Sequence, residues 1–147
     1  MIQRKQTVFL LLAFVLFVVT MTSRLGMLVS NGIEVAQVYC LWLTDAAGHH
    51  AMASWPLLAL LIIAAILSLV TILMYSRRIL QSRLCLVLML LVVCWYIFLA
   101  VLPQQTGGSL MLEWPVVLPM ISVILTFMAR RGIIADEKLV RSLDRIR

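Results

Sequence analysis

From Trp55 to Tyr75 the chain reads "WPLLALLIIAAILSLVTILMY", twenty-one residues without a charge. At 1.5 Å per residue, a helix of that length crosses the ~30 Å hydrocarbon core of a bilayer. The backbone of such a segment must satisfy its own hydrogen bonds in lipid, which leaves few folds open to it. Three further stretches have the same character. Thr7 to Ser23 and Leu84 to Leu102 carry no charge. The fourth, 110–129, is weaker, with Glu113 near one end and prolines at 115 and 119. Pro115 suits the first position of a helix, and Pro119 is expected to kink the helix just beyond it. Only 12% of the 147 residues are charged, about half the share of a soluble domain. The length suggests one domain, and the composition places that domain in a membrane.

Basic residues next to short loops stay on the cytoplasmic side. Arg4 and Lys5 precede the first span. Arg77, Arg78 and Arg83 fall between the second and third. Arg130, Arg131, Lys138, Arg141, Arg145 and Arg147 follow the fourth. Eleven of the twelve basic residues thus share one side, and Arg24 alone takes the other. Both termini are expected in the cytoplasm. Trp55, Trp114 and Tyr75 mark span ends, as an aromatic belt would. The first span leaves through "VVTMTSRLG", which has no Ala-x-Ala-like site, so it reads as a span and not as a cleaved signal.

The outer loop, 24–54, holds "IEVAQVYCLWL" between the turn signals "SNG" and "DAAGHH". A strand or hairpin and an interfacial helix both fit such a short apolar run. Leu110 to Leu112 offers a strand that could pair with it. The inner loop, 76–83, is short enough to make the second and third spans antiparallel neighbours.

No span carries an ionisable group at its middle, which argues against a proton-coupled carrier and an intramembrane protease. Glu113 and Arg24, near the outer boundary, read as two separately solvated charges in preference to a pair. His49 and His50 are adjacent, an arrangement that seldom serves one metal, and no metal ligand set is expected. Of Cys40, Cys85 and Cys94, only Cys40 faces the oxidising side, so no disulfide is expected. Thr20, Ser68, Thr71, Ser122 and Thr126 can each bond to their own helix backbone. Ala64 and Ser68 form a weak small-residue packing pair. No catalytic residue and no cofactor site emerges, and nothing suggests nucleic-acid binding.

The last segment, "DEKLVRSLDRIR", is amphipathic. Leu139, Val140, Leu143 and Ile146 share one face of a helix, while Lys138, Arg141, Asp144 and Arg145 lie on the other. Asp136 is placed to cap such a helix, and Gly132 either separates it from the fourth span or lets the two run on. A helix this short needs support, from anionic lipid or from protein. Glu137–Arg141 and Asp144–Arg147 spacings add weak ion pairs.

Three segments carry a resemblance: "MIQRKQTVFLLLA", "YSRRILQSRLC" and "ARRGIIADEKLVRSLDRIR". Together they resemble a bacterial family of small four-span membrane proteins, typical of Bacteroidetes, that is known only as a domain of unknown function. The resemblance implies a four-helix inner-membrane protein and brings no activity or ligand with it. The expectation is therefore an all-α integral membrane protein. It has four transmembrane helices (7–23, 55–75, 84–102, 110–129), a short amphipathic C-terminal helix in a cytoplasmic tail (130–147), and room for a small β element outside. As to function, it reads as a non-enzymatic accessory or structural subunit of a larger inner-membrane complex. Contacts to lipid headgroups or a protein partner would come from Arg77, Arg78, Gln81, Arg83, Arg130, Arg131, Asp136, Glu137, Arg141, Asp144 and Arg145. A homo-oligomer is compatible. The alternative is a small carrier or lipid-handling protein for an apolar substrate.

Overall fold

The computed structural model describes residues 3–30, 33–45, 48–52, 54–74, 77–106 and 109–144. Among these, the elements in chain order are α1 (Gln3–Thr22), β1 (Arg24–Ser30), β2 (Ile33–Tyr39), β3 (Leu43–Asp45) and β4 (His50–Ala51). They continue with α2 (Trp55–Leu73), α3 (Arg78–Thr106), β5 (Ser109–Leu112), a 3₁₀ turn (Trp114–Val117) and α4 (Leu118–Asp144).

The helices bundle through one shared rule. Buried residues recur at alternating steps of four and three. In α1 they are Gln6, Leu10, Ala13, Phe17 and Thr20; in α2, Leu57, Leu61, Ala64, Ser68 and Thr71. In α3 they are Gln81, Cys85, Leu88, Val92, Trp95, Leu99 and Leu102; in α4, Ser122, Thr126, Ala129, Ile133 and Asp136. A 3.5-residue repeat of this kind is the seam of helices packed at shallow angles, as in left-handed bundles. The residues around each seam are mostly Leu, Ile and Val left exposed, among them Ile63, Ile66, Leu90, Val93, Ile97 and Ile124. Small and hydroxyl-bearing residues share the seams with Leu, Phe and Trp, while the outer faces are almost wholly branched aliphatic. The five span hydroxyls all donate to their own helix: Thr20 to Leu16 O, Ser68 to Ala65 O, Thr71 to Leu67 O, Ser122 to Pro119 O and Thr126 to Ser122 O.

At one end the bundle carries an antiparallel sheet of strand order β4-β3-β2-β1-β5. The β1–β2 pairing closes at Ser30 opposite Ile33. Gly48, at φ +79°, turns β3 into β4, its N–H donating to Asp45 O. Leu28, Ala36, Val38 and Leu43 share the core with Phe17, Leu57, Leu61 and Leu99. Gly26 sits where β5 crosses close: a Cβ there would strike the Met111 carbonyl oxygen.

The β reading of the outer loop and the pairing of Leu110–Leu112 with it both hold: the loop forms four strands, and β5 completes a five-stranded sheet; the interfacial-helix alternative does not hold. The structure departs from the sequence reading in four places. The fourth span does not begin at 110: Leu110–Leu112 belongs to β5, paired with Leu28, Met27 and Gly26. Pro115 lies in the 3₁₀ turn and Pro119 is the second residue of α4, where a missing N–H costs nothing, so Pro119 imposes no kink within the span. The inner loop shrinks because α3 already begins at Arg78 and extends through Pro103 to Thr106. Of the two readings of the tail the continuous one holds, since α4 runs through Gly132 to Asp144, but Asp136 is an interior helical residue and not a cap.

Among the described residues, three segments are long and apolar enough to cross a membrane: Trp55–Leu73, Ile79–Gln104 and Trp114–Val140. The apolar part of α1, Gln6–Thr22, is shorter.

Candidate functional site

The two ends of the bundle differ in chemistry. At the sheet end, Arg24 and Glu113 form an ion pair, correcting the reading of two separate charges. The strand pairing brings them together, since the Glu113 N–H also donates to Leu25 O at 2.9 Å. The bond to Glu113 raises the Arg24 guanidinium above its ordinary value. Cys40 is fully buried, its thiol 3.4 Å from Thr20 O, and burial pushes it up to about 12. That thiol stays neutral and inert at physiological pH. His49 and His50 are exposed; His50 Nδ1 lies 3.2 Å from Thr44 Oγ1 and its ring lies tilted against Trp42, centroids 5.4 Å apart. Two shallow clefts of about 220 and 230 Å³ flank the β2–β3 overhang and share Val35, Ala36 and Asp45.

The opposite end collects the polar residues singled out in the sequence. Arg77 is exposed in the turn between α2 and α3, its carbonyl accepting Gln81 N at 3.0 Å. Arg83 and Arg131 are exposed, Arg130 and Glu137 half-buried, and Gln81 buried at the α3 seam. Arg78, Arg141 and Asp144 are placed by their backbone alone, and Arg145 lies outside the described residues.

The contact that organises this end involves a residue sequence reasoning passed over. Gln6, 6% exposed, donates its Nε2 proton to Asp136 Oδ2 at 2.7 Å. Asp136 is itself only 8% exposed. One turn earlier on α4, Gly132 gives Gln6 its space: a Cβ there would stand 3.0 Å from Gln6 Nε2 and 3.1 Å from Cγ. Leu10, Cys85, Ala129 and Ile133 form a small apolar cluster beneath the clasp. Since Gln6 meets Gly132 and Asp136 while Leu10 meets Ala129 and Ile133, α1 and α4 run antiparallel. The available signal was an uncharged amide at the seam spacing ahead of Leu10.

Past Asp136, the same face of α4 continues with Leu139 and Val140, three and four residues on. They are 57% and 44% exposed. Among the described residues, none buries these two side chains. Among the described residues, no group of three His, Cys, Asp or Glu side chains is positioned to hold a metal ion.

The architecture defines a class: a helical bundle of membrane-compatible surface, capped at one end by a small sheet and basic at the other. A family model described as Domain of unknown function (DUF4293) matches residues 2–146, and the chain belongs to that family. No curated protein matches it.

Proposed function

We propose that the chain is a non-enzymatic accessory or structural subunit of a larger assembly in the bacterial inner membrane. In this reading it crosses the membrane four times, with both termini and the basic end in the cytoplasm. Eleven basic residues on that side support the orientation. The full-length pairing of α1 with α4 supports α1 as the fourth span, Arg24 standing just past its outer end.

The observation that carries the functional reading is the closed seam. Phe17, Leu57, Leu61, Leu88, Val92 and Trp95 fill the bundle at 0–1% exposure. The span hydroxyls are used by their own backbones. A carrier for an apolar substrate needs a cleft between helices, so the close packing argues against that alternative. Specificity resides instead in the exposed basic turn around Arg77 and Arg83 and in the projecting end of α4. An exposed apolar pair on a rigid helix suits protein contact.

The test is native-gel migration with mass spectrometry, on protein tagged at its own locus and extracted in mild detergent. Co-migration with a defined set of larger membrane proteins is expected, lost on charge reversal at Arg77 and Arg78 or on removal of residues 137–147. Migration as a lone monomer or homo-oligomer overturns the reading.

A further inference from the structure

Arg130 and Gly132 stand on α4 two residues apart, about 200° round the helix from each other. Gly132 faces Gln6 of α1. Arg130 therefore lies on the flank that α4 turns to its other helical neighbour, α3. Two observations agree with that placement. Ala129, the residue before it, shares an apolar cluster with Cys85 of α3, and the Arg130 charge acts on the Cys85 thiol. Across the same contact, Tyr96 of α3 points at α4, its hydroxyl donating to Val116 O at 2.6 Å. Ser82, four turns earlier on α3, lies within about 40° of Tyr96 on the wheel and is buried. Ser82 and Arg130 thus open on one crevice between α3 and α4. The next residue on each helix, Arg83 and Arg131, is exposed. Each is about 100° farther from the seam, so the crevice has an arginine on either lip. Inside it, Arg130 is half-buried, and its Nε is enclosed without a hydrogen-bond partner. Among the described residues no carboxylate forms an ion pair with its guanidinium. Glu137, two turns on along the same flank, is already engaged.

We propose that this crevice holds the phosphate of an anionic phospholipid from the leaflet at the basic end of the bundle. Arg130 is its inner ligand, Ser82 a hydroxyl donor, and Arg83 and Arg131 close the rim. The proposal rests on the membrane placement given above and not on the subunit reading, so the two fail separately. Depth selects the ligand. α3 has 29 residues, about 43 Å of helix, against a hydrocarbon core of ~30 Å. With the surplus shared between its ends, the boundary at the basic end falls about four residues into α3, beside Ser82. Arg130, opposite Cys85, stands about one turn inside that boundary, and a side chain of its length reaches back to the phosphate layer. An unpaired guanidinium at that depth is costly. The anions present there are the bilayer's own phosphates, and the planar fork of an arginine fits them bidentately. Basic pockets between spans bind anionic headgroups in this way.

The test is native mass spectrometry of the full-length protein, released from nanodiscs of phosphatidylglycerol and phosphatidylethanolamine in equal parts. Wild type should retain phosphatidylglycerol in preference. Arg130→Gln should lower that retention about tenfold, the factor for one charge-assisted hydrogen bond. Arg77→Gln removes the same charge from the turn outside the crevice and should change retention less than about twofold if the site, and not the general field, holds the lipid. Ser82→Leu fills the crevice without touching a charge and should also displace the lipid. A phosphatidylglycerol analogue with a photoreactive group beside its phosphate, added to wild type, should label the segments around Ser82 and Arg130; this readout stands even if Arg130→Gln does not fold. Equal retention of the two lipids, equal losses in Arg77→Gln and Arg130→Gln, or labelling confined to other segments overturns the proposal. Inorganic phosphate bound in the absence of any lipid preference overturns it too, by assigning the arginines to a soluble anion. A native complex that survives in the presence of any of these results leaves the subunit reading standing.

Discussion

Gly26 leaves no room for a methyl group, because the atom it would strike is backbone and not a movable side chain. Gly26→Ala must therefore push β1 and β5 apart. The expected cost is about 1–3 kcal/mol, typical of overpacking. Thermal unfolding in detergent should show it, together with faster hydrogen exchange at the Glu113 N–H, which bonds to Leu25 O. Cys40 makes a second residue-scale prediction. Its thiol keeps its proton to about pH 12 in the folded chain, against an ordinary value of 9.0. Between those values the folded state holds a proton that the unfolded state has lost. Stability then falls as pH rises, by up to about 1.4 kcal/mol per unit. Cys40→Ala should flatten that slope between pH 9 and 12, whatever it does to stability at neutral pH. An unchanged slope would mean that the thiol is solvated. Neither residue announced its role in the sequence. Gly26 sits in an unremarkable "RLGML", and its constraint comes from a strand more than eighty positions away.

The elements themselves were unequally legible. Three of the four apolar runs marked their helices because length and absence of charge suffice for that. The seams were not visible, since both sides of every span are apolar and a hydrophobic period has nothing to contrast with. What could have marked them is the inverse pattern, polar and small residues at steps of four and three, from Thr20 to Asp136. The α1–α4 pair depends on that pattern at its basic end. Asp136→Asn keeps an oxygen for the Gln6 amide and should be tolerated. Asp136→Leu removes it, leaves the buried amide unsatisfied and should cost about 1–3 kcal/mol. Paired spin labels at Phe127 and Leu139 would detect the loss as a broadened distance distribution if the clasp is what holds α4 straight. An equally narrow distribution in Asp136→Leu would show that α4 is straight without it.

At the scale of the whole molecule, orientation is the property with the largest consequences. The distribution of basic residues could be read directly from the sequence, whereas the sheet that marks the other end was legible only in part, as a hairpin and a distant strand that could pair with it. Its five strands come from two separated segments, and each alone reads as an ambiguous loop. Single cysteines introduced at Val35 and Lys138, in a chain otherwise lacking cysteine, test the arrangement. A membrane-impermeant maleimide should label position 35 in intact spheroplasts and position 138 only after the membrane is opened. The reverse result would invert the protein and move the proposed docking face outside.

The sheet order also fixes a timetable. β1 to β4 leave the ribosome together, directly after α1, but the edge of β1 that β5 will occupy stays open until α2 and α3 have both been made. In the four-span reading proposed above, the β1–β5 rung at Gly26 can close only when the third helix has delivered Ser109–Leu112 to the same side of the membrane as the first hairpin. A chain whose middle helices fail to insert, or insert in the wrong sense, is left with an unfinished sheet. That sheet would present a bare strand edge to whatever surveys newly made membrane proteins. The cap is thus a record of correct insertion as well as a fold.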